Sequence, residues 1–419
     1  MPKNIPILDT KCVAPYIATE INTVGDLQVC CEATPFVRND NINYSQFDEW
    51  QRIHLRDLRN DLKNNIKNKH CTYCWQKDEV NGFSLRKYLN EMYQEVYDRI
   101  GIDDDESLLD TRYVHAHFGN LCNLKCIMCS PYSSSSIESE QKRFAKEYKS
   151  FYDNAYGIDR IGDPVNQTFS SLFYKKLDYL DFIKEKFNKA DFIYLTGGEP
   201  LMTPEAYETL NTLEQPENKT LCMTTNGTML DPKWTNLFDK YHKVLIIVSI
   251  DGIGEKNDYI RFGSDWDIIE KNIYTLKSMV NVETRLTFVL QRTSYYTLKE
   301  IIEFAVKNNL SLHFSINNGS LHMRLNTLTP EEITVFKNQL IDLRDKISIM
   351  PSTTVLDEFV NQHEPITLKF LKDNWIQTIT TILDFIDLNY VYDSHHRETF
   401  FDYLSFLDKL RGTNYRLVF

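Results

Sequence analysis

The sequence predicts an α/β protein: a partial (β/α)6 barrel preceded by a cysteine-rich module and followed by a helical segment. Three observations carry this. Short apolar segments alternate with amphipathic helical patterns through the middle of the chain. All but one of the 9 cysteines lie before residue 130. From about residue 321 the strand rhythm gives way to helical patterns alone. Residues 1–105 are therefore expected to form the module, 106–320 the barrel and 321–419 the helical segment.

Taken in order, the first stretch is "CVAPYIATEINTVGDLQVCC" (12–31). Gly25 and Asp26 form the tip of a hairpin that brings Cys12 and Cys30 together across two strands. A helix over 47–62 then returns the chain to "HCTYCW" (70–75), which holds Cys71 and Cys74 as a CxxC pair. Strands follow at 112–118, 190–196, 220–225, 243–250, 283–290 and 310–316. Helical patterns lie between them at 204–213, 231–241, 266–279 and 298–309. Near-continuous apolar strands separated by amphipathic helices predict a parallel sheet with helices outside it. Six such units are too few for an eight-fold barrel, so the sheet is expected to stay partly open. In such sheets ligands collect at the carboxyl ends of the strands. Residues 137–157 and 171–187 form two further helices inserted after the first strand. The last segment reads as helices over 328–347, 366–386 and 398–412; "LTPEE" supplies an N-cap, a proline and two acids at the first of these.

Composition is that of an ordinary globular protein, 42% hydrophobic and 25% charged, which is enough to build a core. The net charge of −12 argues against a broad phosphate-binding surface and so against a nucleic-acid partner. No apolar run approaches the ~20 residues that span a bilayer, and "MPKNIPILDTK" lacks the apolar region of a secretory signal. A cytoplasmic protein with reduced cysteines is expected, and clustered cysteines there serve as metal ligands more readily than as disulfides.

Residues 122–129 read "CNLKCIMC". Thiolates at such short spacing select zinc or iron–sulfur clusters. Either metal wants four ligands, so Cys122, Cys126 and Cys129 borrow a distant fourth or leave one position open. The loop follows the first strand, where an open position would face the mouth of the sheet. "LTGGEPLM" (195–202) ends the second strand, "TTNG" (224–227) the third and "SIDG" (249–252) the fourth.

In these pieces and their order the sequence resembles the radical SAM superfamily over about residues 112–316. The resemblance implies that Cys122, Cys126 and Cys129 hold a [4Fe–4S] cluster whose fourth iron binds S-adenosylmethionine (SAM). It implies that Gly197, Gly198 and Glu199 meet the SAM amino group, Ser249 its ribose and Arg261 its carboxylate. The expected reaction is reductive cleavage of SAM to a 5′-deoxyadenosyl radical that abstracts hydrogen from a substrate. An external electron donor such as flavodoxin or ferredoxin would supply the electron. The pattern Cys12, Gly25, Cys30 and then Cys71 and Cys74 is similar to the twitch or SPASM module of that superfamily, although the family carries it after the barrel. That similarity implies one auxiliary [4Fe–4S] cluster on Cys12, Cys30, Cys71 and Cys74, with Cys31 spare or replacing Cys30; a four-cysteine zinc site is the alternative. Such enzymes oxidise or cross-link peptides or small molecules. A non-catalytic iron–sulfur or zinc protein on the same scaffold, and a nucleic-acid-modifying enzyme, are the other readings. No acid, base or hydrogen donor is assigned: Cys222 and the pair His115 and His117 read as buried strand residues.

Overall fold

The computed structural model describes residues 9–33, 44, 47–79, 84–156, 172–317, 319–351 and 367–419. The chain divides into two units, Met1–Gly119 with Ser170–Cys222, and Asn120–Phe169 with Met223–Phe419. Its parallel sheet is open rather than closed, the arrangement expected of a partial α/β barrel.

In the first unit, strands β1 (Ala18–Ile21) and β2 (Leu27–Gln28) form the expected antiparallel hairpin, with Glu20 opposite Gln28. Gly25 turns it at φ 91°, a left-handed conformation that glycine adopts without a Cβ penalty. The other edge of β1 runs parallel to β3 (Tyr113–His117), pairing Glu20 with His115, and β3 runs parallel to β4 (Phe192–Thr196). The cysteine-rich segment thus adds strands directly to the sheet. Strand β5 (Thr220–Thr225) carries the division between the units. The helix expected over 47–62 is two helices, Phe47–His54 and Arg56–Lys63, broken at Leu55. A short 3-10 turn, Lys69–Cys71, leads into the helix Thr72–Glu79. Cys71 closes the 3-10 turn and Cys74 lies three residues on, about one helical turn away, a spacing that puts side chains on one face. The helix Leu177–Lys189 covers β3 by burying Tyr179, Phe182, Ile183 and Phe187.

In the second unit β6 (Lys243–Ser249), β7 (Val282–Leu290) and β8 (Ser311–Ile316) pair in parallel and in that order. Helices Trp266–Lys277 and Ser294–Lys307 are the crossovers. The second starts four residues before the expected 298, because Thr293 to Tyr296 are residues whose strand propensity masks a helix start. Strand β7 buries every second residue, so only one of its faces meets the core. The inserted helix expected over 137–157 is Ser135–Arg143 followed by Ala145–Tyr156. Three terminal helices follow, Pro330–Ser348, Leu368–Asn389 and Ser394–Arg411. The first opens on a complete capping box between Thr329 and Glu332. Among the described residues no helix is long and apolar enough to cross a membrane.

Candidate functional site

The three-cysteine loop belongs to the second unit. Cys126 is buried, while Cys122 and Cys129 are half-buried. Backbone bonds fix the loop at both sides of Cys126: Lys125 donates to the Phe262 carbonyl at 2.9 Å and Ile127 to that of Ile260 at 2.9 Å. A run of serines at the start of the helix Ser135–Arg143 holds the other side. Ser134 Oγ donates to the Leu124 carbonyl at 2.7 Å, Ser136 Oγ to the Cys122 carbonyl at 2.7 Å, and the Cys122 amide donates to Ser135 Oγ at 3.1 Å. These bonds hold the loop's backbone on both sides of Cys126.

Two strand ends reach the same loop. Asn226, in the Thr-Asn-Gly stretch, donates to Asn123 Oδ1 at 2.9 Å, and its Nδ2 lies 3.9 Å from Cys122 Sγ. Ser249 is the buried last residue of β6. Asp251 and Arg261 form a buried ion pair at 2.7 Å. Asp251 Oδ1 also accepts the Val289 amide at 2.8 Å, so this carboxylate anchors both the turn and the arginine. Arg261 Nε has no hydrogen-bond partner, which leaves donor capacity beside the thiols. Its charge acts on them. A hydrogen bond with Cys129 holds the Cys126 thiol below the usual range, and Arg261 adds to that effect against burial. The same bond and burial push Cys129 up. One thiolate is thus favoured before any metal binds, and thiolates are what metals take.

The terminal helix Ser394–Arg411 backs the loop, a role not legible in the sequence. Tyr403 Oη donates to the Ile127 carbonyl at 3.0 Å. Arg411 makes a two-pronged pair with Glu140, at 2.8 and 3.3 Å, and Tyr148 and Lys125 complete the cage around that carboxylate. Burial alone would raise Glu140, but Arg411, Tyr148 and Lys125 outweigh it and hold it below the ordinary range. Met128 packs on the apolar cluster around Ile127, Tyr148 and Phe400, and so belongs to the core.

The glycine–glutamate stretch lies in the first unit at the end of β4. Gly197 and Gly198 have φ of 82° and 55°. A Cβ at Gly197 would lie 2.4 Å from His117 Nδ1, so only glycine fits. Glu199 is fully buried and its Oε1 accepts the Leu201 amide at 3.1 Å. Cys222 is buried within β5. Asn317 donates to Gln291 Oε1 at 3.1 Å, and Asn318 lies outside the described residues.

The four N-terminal thiols also lie in the first unit. Cys12, Cys30, Cys71 and Cys74 line one cavity, together with apolar walls that include Leu58, Leu62 and Leu89. Burial pushes Cys12 and Cys30 well up, and Cys71 and Cys74 to about 12 and about 11; neighbouring thiols add to the rise at Cys12, Cys30 and Cys71. Four cysteines lining one largely apolar cavity are a donor set of the kind soft metals take, and a metal's positive charge would offset what thiolates cost there. Cys31 is exposed and does not line this cavity.

Residues 117–305 match the radical SAM superfamily. The match covers strands β4 to β7 and the three-cysteine loop described above, a little under half of the chain. Solved structures similar to this chain include the following three. They are anSMEcpe with bound AdoMet (20% identity, 56% of this chain, 61% of that one, TM-score 0.38), SuiB of Streptococcus suis bound to S-adenosylmethionine (12%, 73%, 61%, 0.36), and the methyltransferase TsrM of Kitasatospora setae with cobalamin and a [4Fe-4S] cluster (10%, 72%, 61%, 0.34). In each the likeness spans 61% of the other chain. No curated protein matches the sequence.

Proposed function

We propose that this protein is a radical SAM enzyme with two iron–sulfur centres, one for SAM and one auxiliary. The observation that supports it most is the three-cysteine loop of a radical SAM domain, held rigid by backbone bonds and set beside the Arg261 cation. Cys122, Cys126 and Cys129 would hold a [4Fe–4S] cluster that leaves one iron for SAM. Bound there, the cluster and SAM supply a 5′-deoxyadenosyl radical and hence hydrogen abstraction.

This chain's residues have the following parts in that reading. Arg261, steadied by Asp251, offers its Nε to an anionic group such as the SAM carboxylate. Gly197 and Gly198 expose backbone for a ligand to approach, and Glu199 presents an anion suited to an ammonium. Ser249 offers a hydroxyl for the ribose. The serines of residues 134–136 hold the loop's shape whether or not metal is bound. Cys12, Cys30, Cys71 and Cys74 form a closed ligand set, so the auxiliary centre would pass electrons rather than bind substrate directly. The substrate class we favour is a peptide or a small molecule that is oxidised or cross-linked, with a flavodoxin- or ferredoxin-type donor.

The test is SAM cleavage by the anaerobically reconstituted protein under strong reductant. Formation of 5′-deoxyadenosine is expected. A protein that carries its full iron and forms none would sink the reading.

A further inference from the structure

Cys31 and Cys222 are the two cysteines that neither thiol set uses, and Cys31 stands beside two further side chains of metal-ligand type. The parallel register of β1 and β3 sets Glu20 directly against His115. The turn at Cys30, closed by the Ala33 amide on the Cys30 carbonyl at 3.0 Å, carries Cys31 to the same place. One ligand atom each from Glu20, Cys31 and His115 lie within 4.8 Å of one another. Consecutive cysteines thus serve different places: Cys30 lines the four-thiol cavity, and Cys31 joins a carboxylate and an imidazole.

The buried partners are electrostatically incomplete. Glu20 and His115 are only 3% and 4% exposed. Glu20 Oε2 and His115 Nδ1 sit 3.3 Å apart, yet neither atom has a hydrogen-bond partner. The surrounding bonds admit a tautomer that leaves His115 Nδ1 without a proton. His115 Nε2 lies 2.6 Å from Thr196 Oγ1, that hydroxyl lies 2.9 Å from His117 Nε2, and His117 Nδ1 lies 2.8 Å from Thr23 Oγ1. One assignment satisfies the whole chain with neutral rings. His115 donates from Nε2 to Thr196, Thr196 donates to His117 Nε2, and His117 donates from Nδ1 to Thr23. His115 Nδ1 then points a lone pair at a buried carboxylate oxygen. Two buried acceptors facing each other are costly, and a cation between them removes the cost.

From this geometry we infer a mononuclear divalent-metal site, suited to Zn²⁺, with Glu20 Oε2, His115 Nδ1 and Cys31 Sγ as its ligands. The donor set of one carboxylate, one imidazole and one thiolate is of the kind zinc takes. Zinc–nitrogen and zinc–oxygen bonds of about 2.0–2.2 Å put tetrahedral neighbours roughly 3.3–3.6 Å apart, and the Glu20–His115 separation already meets this. Thr196 acts as the positioning residue, since its bond to Nε2 fixes the ring and its tautomer. Stacking of His115 on Tyr194, with centroids 4.4 Å apart, fixes the ring plane. Three ligands leave the fourth position for water or a substrate heteroatom, and exposed Cys31 is the side from which it is reached. The site is independent of the radical SAM reading.

The test uses the full-length, cluster-loaded protein, exposed to Zn²⁺ and desalted anaerobically. Zinc is measured per chain together with iron, and the ligand shell is read by zinc X-ray absorption. The site predicts about one zinc per chain with a single sulfur and otherwise nitrogen or oxygen neighbours. C31S and H115Q should lose that zinc while iron per chain is kept, and T196V should weaken zinc binding by about 10–100-fold. If H115Q fails to fold, C31S decides, because an exposed thiol is replaced without a packing cost. An all-sulfur shell, no retained zinc, or zinc unchanged in C31S would overturn the inference.

Discussion

The two sets of clustered thiols are held by different means. Around Cys122, Cys126 and Cys129 the fixing groups are polar: backbone amides, three serines, Asn226 and the Arg261–Asp251 pair. Around Cys12, Cys30, Cys71 and Cys74 they are largely apolar, and burial dominates the thiols' titration. A polar frame fixes a loop's shape and leaves room for a charged ligand beside it. An apolar cavity favours a centre that completes its ligands internally and excludes water. Under the proposed function, the first frame would serve binding and chemistry and the second would serve electron storage.

The strongest way to break this contrast is to remove one thiol from each set. Cys126→Ser should abolish 5′-deoxyadenosine formation and take iron from about eight to about four per chain, as expected for the loss of one cubane. Cys74→Ser should lower iron by the same amount from the other centre. Iron and sulfide analysis after anaerobic reconstitution checks both. If Cys74→Ser keeps all its iron and loses zinc, the closed set holds zinc.

Next in size is the support behind the open loop. Arg411 and Glu140 are both nearly inaccessible and paired with each other. Arg411→Met leaves a buried carboxylate short of its main partner, and should cost about 3–5 kcal/mol in chemical denaturation. The pH dependence has a definite sign. Glu140 is held below its ordinary value of 4.5, so its pairing stabilises the fold fully above that pH and less as pH falls through the lowered value. The difference between wild type and Arg411→Met, measured on metal-free protein, should therefore narrow on acidification. Gly197→Ala comes next: a Cβ 2.4 Å from the His117 ring, at a φ of 82°, should cost on the order of 1–3 kcal/mol and raise the SAM concentration needed for cleavage.

These effects differ in how far the sequence announced them. The parallel strands were legible to within two residues, because each is an apolar run bounded by turn residues, and "TLCMTT" matches its strand end to end. The turn of the β1–β2 hairpin was legible from Gly25, but the helical turn Ala14–Ile17 that separates Cys12 from β1 was not. Helix breaks at Leu55 and Phe144 were not, since both sit inside continuous helical patterns. Nor was the pairing of β1 with β3, because an apolar strand pattern does not name its neighbour across some ninety residues. The same limit hid the environment of Cys31. Its spacing made it a spare for Cys30, and only the register of two distant strands puts Glu20 and His115 beside it.

The smallest effect tests the polar frame most finely. Tyr403 and Ile127 are 276 residues apart, and the phenol donates to the Ile127 carbonyl. Tyr403→Phe keeps the ring's packing on His322 and Phe151 but leaves that buried carbonyl without the phenol. The cost should be about 1–3 kcal/mol, the penalty of an unsatisfied buried acceptor, rather than the larger loss of a broken ion pair. Because Ile127 is flanked by Cys126 and Met128, the loosening falls on the loop itself. Iron at the open centre should be retained after reconstitution yet be lost faster to a chelator, while iron at the closed centre leaves at the wild-type rate. Equal acceleration at both centres would mean that the terminal helix stabilises the whole chain rather than the three-cysteine loop.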